Sequence, residues 1–165
     1  MDLVKSLKKE FNLPRIISHS AFGFLVLFIG LNHNFSTEND FNIRLGETQK
    51  FDNFKINFAN LSMKEHENYK AVIGEFKIDD LKKKYSHTLK PEIRIYENPS
   101  TLTYEASIRS RLLEDYYITM SNIDRSEFYN IKFQKKPFML WIWISVIFIS
   151  LGGFLRLFKN ENKNY

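Results

Sequence analysis

Cysteine is absent from the 165 residues, which excludes disulfides, thiolate metal sites and thiol catalysis in this chain. Charge is absent from two long stretches. No Asp, Glu, Lys or Arg occurs from Ile16 through Thr37, and none from Pro137 to Leu155, before Arg156 closes the run. The G-x-S-x-G, H-E-x-x-H and P-loop signatures are missing too. An enzyme acting alone is therefore not the expectation.

What is present follows from where the charge is missing. At 1.5 Å per helical residue, the first uncharged stretch reaches roughly 33 Å, enough for a ~30 Å hydrocarbon core. Its apolar run is Ile16 to Leu31. The second is nearly as long, and Pro137 suits the first turn of a helix, where its missing N–H costs nothing. A cleaved leader is the rival for the first run, since Lys5, Lys8 and Lys9 resemble a basic n-region. The run is too long for that, and Asn32-His33-Asn34-Phe35 offers no small-x-small cleavage site.

The expected division is a basic cytoplasmic N-terminus (1–15), a transmembrane helix (16–35), a β-rich domain (36–136), a second transmembrane helix (137–157) and a cytoplasmic tail (158–165). Flanking charge sets the orientation: Lys5, Lys8, Lys9 and Arg15 precede the first span, whereas only Arg44 and Lys50 follow it closely. Around the second span the charge is balanced, with Arg125, Lys132, Lys135 and Lys136 before it and Arg156, Lys159 and Lys163 after. Two spans return the C-terminus to the side of the N-terminus. The middle then lies in the periplasm, or between the membranes of a mitochondrion. The net charge of +5 serves the bilayer surface rather than nucleic acid.

Between the spans the period is two. Phe54, Ile56 and Phe58 alternate with Lys55 and Asn57, which describes a half-buried strand. Tyr69 to Ile78 is another, with Gly74 as a bulge or close-approach point. Ile93 with Ile95, then Tyr116, Ile118 and Met120, then Tyr129, Ile131 and Phe133, add three more. Five or more short strands predict a small antiparallel sandwich or barrel. The connections are polar: Leu45 to Thr48, Asp79 to Lys84, and Glu97 to Ser100. The lysines Lys82, Lys83 and Lys84 read as a solvated loop. Residues 104–114 read as a short helix, since Ile108, Arg111, Leu112 and Asp115 have helical spacing.

His66, between Glu65 and Glu67, and His87 read as surface histidines without ligand spacing. His19 differs, because an ionisable group inside an apolar span is costly unless it has a partner. One imidazole nitrogen can ligate a metal while the other donates a hydrogen bond. The plainer alternative is an interfacial histidine bonded to a neighbouring helix. Phe22 and Gly23 share its face, and Gly23 leaves room for a flat ring. His33 is roughly 21 Å along the same helix, too far to ligate with it. Trp141 and Trp143 fit an interfacial aromatic belt, and Gly152-Gly153 permits close helix packing.

The ordered series Leu89-Lys90-Pro91-Glu92-Ile93-Arg94-Ile95-Tyr96, Leu102 to Ile108, Glu114-Asp115-Tyr116-Tyr117-Ile118, Lys136-Pro137, Trp141-Ile142-Trp143 and Leu151-Gly152-Gly153 resembles the C-terminal part of the CcmF family. Its members are haem lyase subunits of the cytochrome c maturation system. The resemblance covers essentially the whole chain. It departs at Ile93, where the family is commonly basic, at Tyr116, commonly leucine, and at Ala21, commonly glycine.

The resemblance implies that His19 is one axial ligand of a membrane haem b, with its partner histidine in an upstream helix absent from this sequence. Arg15, one turn earlier, would pair with a haem propionate. It also implies a C-terminal subunit or fragment that works with the remaining upstream part of the lyase, a haem chaperone, apocytochrome c and its thiol-handling factors. Activity would belong to the complex. The alternative is a non-enzymatic two-span scaffold with a periplasmic β domain, in which His19 only packs helices.

Overall fold

The computed structural model describes residues 13–122 and 127–161. Lys5, Lys8, Lys9, Arg125 and Lys163 lie outside them. The chain divides into two units, Met1–Phe35 with Pro137–Tyr165, and Ser36–Lys136.

The first unit is a pair of apolar helices, α1 (Leu13–Phe35) and α2 (Met139–Glu161). Both are long and apolar enough to cross a membrane. Small residues let them approach. A Cβ added at Gly152 would lie 2.9 Å from the Pro14 carbonyl oxygen and collide with Ser18 Oγ, so one of the two glycines is a packing contact. Gly153 faces open space. Phe28 stacks on Trp141 with ring centroids 5.7 Å apart.

Pro137 is not the first helical residue expected from its position. It ends a strand, and Phe138 beyond it takes a left-handed φ of 62° before α2 starts at Met139. A residue with no N–H cannot extend a ladder, so proline stops the strand rather than opening the helix.

The second unit is a β-sandwich. One sheet has the order β1-β10-β9-β8, built from β1 (Thr37–Ile43), β8 (Ser107–Ser110), β9 (Glu114–Asn122) and β10 (Tyr129–Pro137). The other runs β2-β3-β4-β6-β7, with β5 also paired to β4; its strands are β2 (Thr48–Phe51), β3 (Phe54–Glu65), β4 (Tyr69–Asp80), β5 (Tyr85–Leu89), β6 (Glu92–Glu97) and β7 (Ser100–Glu105). Period-two alternation aims one face of each sheet inward. Phe54, Ile56 and Phe58 of β3, Phe76 and Ile78 of β4, Tyr116, Ile118 and Met120 of β9, and Ile131 and Phe133 of β10 meet there. Phe58 stacks on Phe76 at 4.4 Å between centroids, and Phe54 meets the edge of Phe133 at 5.2 Å.

Gly74 is a close-approach point. A Cβ there would lie 2.7 Å from both Met120 Sδ and the Phe76 ring. The register irregularity is on the partner strand, between Phe58 and Asn60.

The short helix expected over 104–114 does not form. β7 pairs with β6 in one sheet and β8 with β9 in the other, so the chain changes sheets at Ala106. Tyr104, Ile108, Leu112 and Leu113 are all exposed, and a helix there would have had no apolar stripe to bury. Pairing of the backbone decided its structure.

Candidate functional site

His19 lies on the exposed face of α1, together with Phe22 and Gly23. The side packed on α2 carries buried Ala21 and half-buried Ser18, whose hydroxyl donates weakly to the Ile149 carbonyl at 3.5 Å. The imidazole turns back along its own helix, and Nδ1–H donates to the Arg15 carbonyl at 2.9 Å. That bond sets the tautomer, leaving the lone pair on Nε2 directed outward. A histidine that ligates a metal commonly donates its other nitrogen to a carbonyl in this way, which fixes the ring and raises its basicity. Beside it, a Cβ at Gly23 would meet nothing within 4 Å. The residues fit a planar, metal-centred ring. The Arg15 side chain is exposed on the preceding turn, and its carbonyl is already engaged.

The β unit holds a different set of polar groups. His87, read from sequence as a surface residue, is buried at 8% exposure. It sits on β5 between Tyr85 and Leu89, opposite Ile78, and its ring packs between those of Tyr85 and Tyr116. Neither ring nitrogen has a hydrogen-bond partner among the described residues. Burial pushes its pKa below the ordinary value, and the positive charges of Arg109 and Arg111 push the same way, against Asp80 and Asp79. The alternation Tyr85-x-His87-x-Leu89 was the available signal that His87 points inward.

Three buried acids lie nearby: Asp80, Glu114 and Asp115. Asp80 Oδ1 accepts from the backbone N–H groups of Lys82 and Lys83 at 3.0 and 2.9 Å. Glu114 accepts from Lys83 Nζ and the Tyr116 hydroxyl, and Lys135 Nζ is 3.5 Å away. Burial opposes its charge, but these donors outweigh burial and hold its pKa below 4.5. Burial and the adjacent carboxylate raise the Tyr116 phenol, so it donates and stays neutral. Asp115 accepts from Ser110 Oγ at 3.1 Å and from the Arg111 N–H at 3.4 Å. These acids brace turns and place nothing in an open cleft.

The P-E-x-R motif is also structural here. Arg94 Nε donates to Glu92 Oε2 at 2.9 Å, and its guanidinium lies over the Tyr69 ring. His66 stacks on Tyr69 in the β3–β4 turn, and Glu65 pairs with Lys70. No group of three or more His, Asp or Glu residues is arranged to hold a metal among the described residues.

Comparison with known proteins places these features. Residues 34–137 match the family described as CcmF C-terminal beta-sandwich. The cytochrome c-type biogenesis protein CcmF of Haemophilus influenzae is 28% identical over 147 residues, covering 88% of this chain and 22% of that protein. A mitochondrial protein of Marchantia polymorpha, ymf2, is 36% identical over 78 residues, 46% of this chain and 24% of that one. A solved cytochrome c haem lyase CcmF has the same fold, with a TM-score of 0.68 at 15% identity over 85% of this chain and 23% of its own. This chain therefore spans less than a quarter of the length of these relatives. Two apolar helices flanking a β-sandwich, with the family match running over residues 34–137, make this chain a member of the CcmF C-terminal β-sandwich family.

Proposed function

We propose that this chain is the C-terminal part of a cytochrome c maturation haem lyase, and that His19 is its contribution to a membrane haem b. The supporting observation is the disposition of one imidazole: Nδ1 is engaged by Arg15 O at 2.9 Å, and Nε2 is free on an exposed helical face. In hydrocarbon an unpartnered imidazole is costly, so a ligand at Nε2 explains its place. A bound haem would supply a redox centre whose potential depends on its axial ligands and on a dry surrounding. His19 would hold the metal, Arg15 would pair with a propionate, and Gly23 would keep the space beside the ring clear. The second ligand comes from another segment or chain.

On this reading both termini face the cytoplasm or matrix and the sandwich faces the periplasm or intermembrane space. It works beside the upstream part of the lyase, a haem chaperone, apocytochrome c and its thiol-handling factors. Attachment of haem is an activity of that assembly. The test is to co-purify this chain with the remainder of the lyase and record the absorbance spectrum. Loss of a b-type Soret band in His19→Ala, with the assembly intact, is expected. An unchanged spectrum in an intact assembly would reduce the chain to a two-span scaffold.

A further inference from the structure

The two ends of the sandwich differ in charge. β4 runs about 36 Å along its length, and at its Asp80 end four connections gather. These are the turn Leu81 to Lys84, the β2–β3 turn at Asp52 and Asn53, whose Asn53 carbonyl accepts from the Leu81 N–H at 2.8 Å, the turn Arg111 to Leu113 between β8 and β9, and the entry and exit of the chain, where Thr37 pairs with Lys135. Side-chain contacts join them. Lys83 and Lys135 both reach Glu114, and Lys136 Nζ lies 5.2 Å from the Tyr117 ring centroid. At the Tyr69 end the turns carry Glu65, Glu67 and Glu97.

The Asp80 end combines cations with apolar tips. Leu81, Leu112 and Leu113 are 54%, 63% and 57% exposed. Of the acids at this end, Asp80, Glu114 and Asp115 are turned inward as braces, Asp79 is half-buried and Asp52 is exposed, and the exposed cations Lys82, Lys84, Arg109 and Arg111 outnumber the outward acids. Arg109 Nη2 donates to the Tyr85 hydroxyl at 3.3 Å, and the Arg111 guanidinium lies 4.1 Å from the centre of the Tyr85 ring. Tyr85 thereby gathers two guanidinium groups next to the leucine turn. Leucines rimmed by arginine and lysine match the headgroup layer of a bilayer, apolar side chains below and cations at phosphate depth. The covalent path agrees, because both apolar helices join the sandwich here, within a few residues of Thr37 and Lys136. A tethered domain needs little intrinsic affinity to stay docked.

We infer that this end of the sandwich is a lipid-docking surface, with Leu112 and Leu113 entering the interface and Arg109, Arg111, Lys82 and Lys84 engaging anionic phosphates. Docking of this end needs no haem, and its occupant is lipid rather than a protein partner covering the same turns.

A chain without cysteine admits single labels. Leu113→Cys and, at the far end, Met63→Cys are each coupled to an environment-sensitive fluorophore. The full chain is reconstituted in phosphatidylglycerol–phosphatidylcholine vesicles carrying lipids with a nitroxide high on the acyl chain. The Leu113→Cys label should lose emission by roughly twofold or more and shift to the blue, with the Met63→Cys label nearly unchanged. Arg109→Gln with Arg111→Gln, or phosphatidylcholine alone, should remove most of that quenching, because the electrostatic part is gone. Trp141 and Trp143, the two tryptophans of the sequence and both in α2, report insertion separately. Quenched tryptophan emission beside an unquenched Leu113→Cys label overturns the proposal, leaves the membrane spans standing and assigns the leucine turn to a protein partner.

Discussion

The helix pair and the β-sandwich dispose of their side chains in opposite directions. On α1, Phe22, Phe24, Val26, Leu27 and Ile29 are each more than half exposed, whereas Phe58, Phe76 and Phe133 of the sandwich are fully enclosed. The polar groups are reversed with them: His19 points out of its helix, and His87 is shut inside its sheet. The sandwich closes its core with its own residues and can be stable in water. The helices leave their apolar surface to the surroundings, so their stability depends on lipid or on other helices. A polar residue on such a surface is where a ligand or partner is expected, whereas a buried one in the sandwich is first a problem of packing.

The sharpest way to break that contrast is to shorten one side chain in each unit. Phe58→Ala removes a ring stacked on Phe76 in a closed core and should cost about 3–5 kcal/mol. It is read as a large fall in the melting temperature of the β signal by circular dichroism, on the full chain in micelles. Val26→Ala, at a position 56% exposed, should change the same melt by less than about 0.5 kcal/mol. Comparable losses from the two would show that the helix face is covered within the chain after all. Gly74→Ala is the next largest effect. The added methyl meets Met120 and Phe76, both buried, and the ring cannot move aside, so about 1–3 kcal/mol is expected in the same assay. A neutral result would mean that the two sheets separate locally at this point.

Much of this arrangement was legible in the residues. Uncharged runs mark both helices, because hydrocarbon tolerates no unpaired charge, and Phe54-x-Ile56-x-Phe58 marks its strand because one sheet face is buried. Less visible were β1 and β8, edge strands whose outward residues, such as Glu38, Asp40 and Arg109, dilute the alternation. The segment 104–114 misled because helical spacing is informative only when the spaced residues become buried, and Ile108 and Leu112 stay exposed. His19 was legible as an anomaly of environment. Its bond to Arg15 O was not, since rotamer and tautomer are settled by the folded helix. His87 reads as a surface residue because a histidine among Ser, Thr and Tyr resembles one until its ring is known to pack against Tyr85 and Tyr116 on the closed face of β5.

That buried histidine supplies the smallest effect and the finest test of the contrast. Burial, Arg109 and Arg111 keep its folded pKa below 6.5, and Asp79 and Asp80 oppose them only partly. Below pH 6.5 the unfolded chain takes up a proton that the folded chain refuses, so stability falls as pH drops from about 6.5 toward the folded value. Glu114 acts in a lower window: its stabilisation is complete above its ordinary 4.5 and is lost as pH falls through its depressed folded value. His87→Phe keeps the aromatic packing between Tyr85 and Tyr116 and removes two buried nitrogens that have no partner among the described residues. It should gain about 1 kcal/mol at neutral pH and flatten the slope below about pH 6.5, with the Glu114 region unchanged. Denaturant titrations at several pH values measure both. Destabilisation by His87→Phe, with the slope retained, would mean that the imidazole makes an interaction in the folded protein that its surroundings do not reveal.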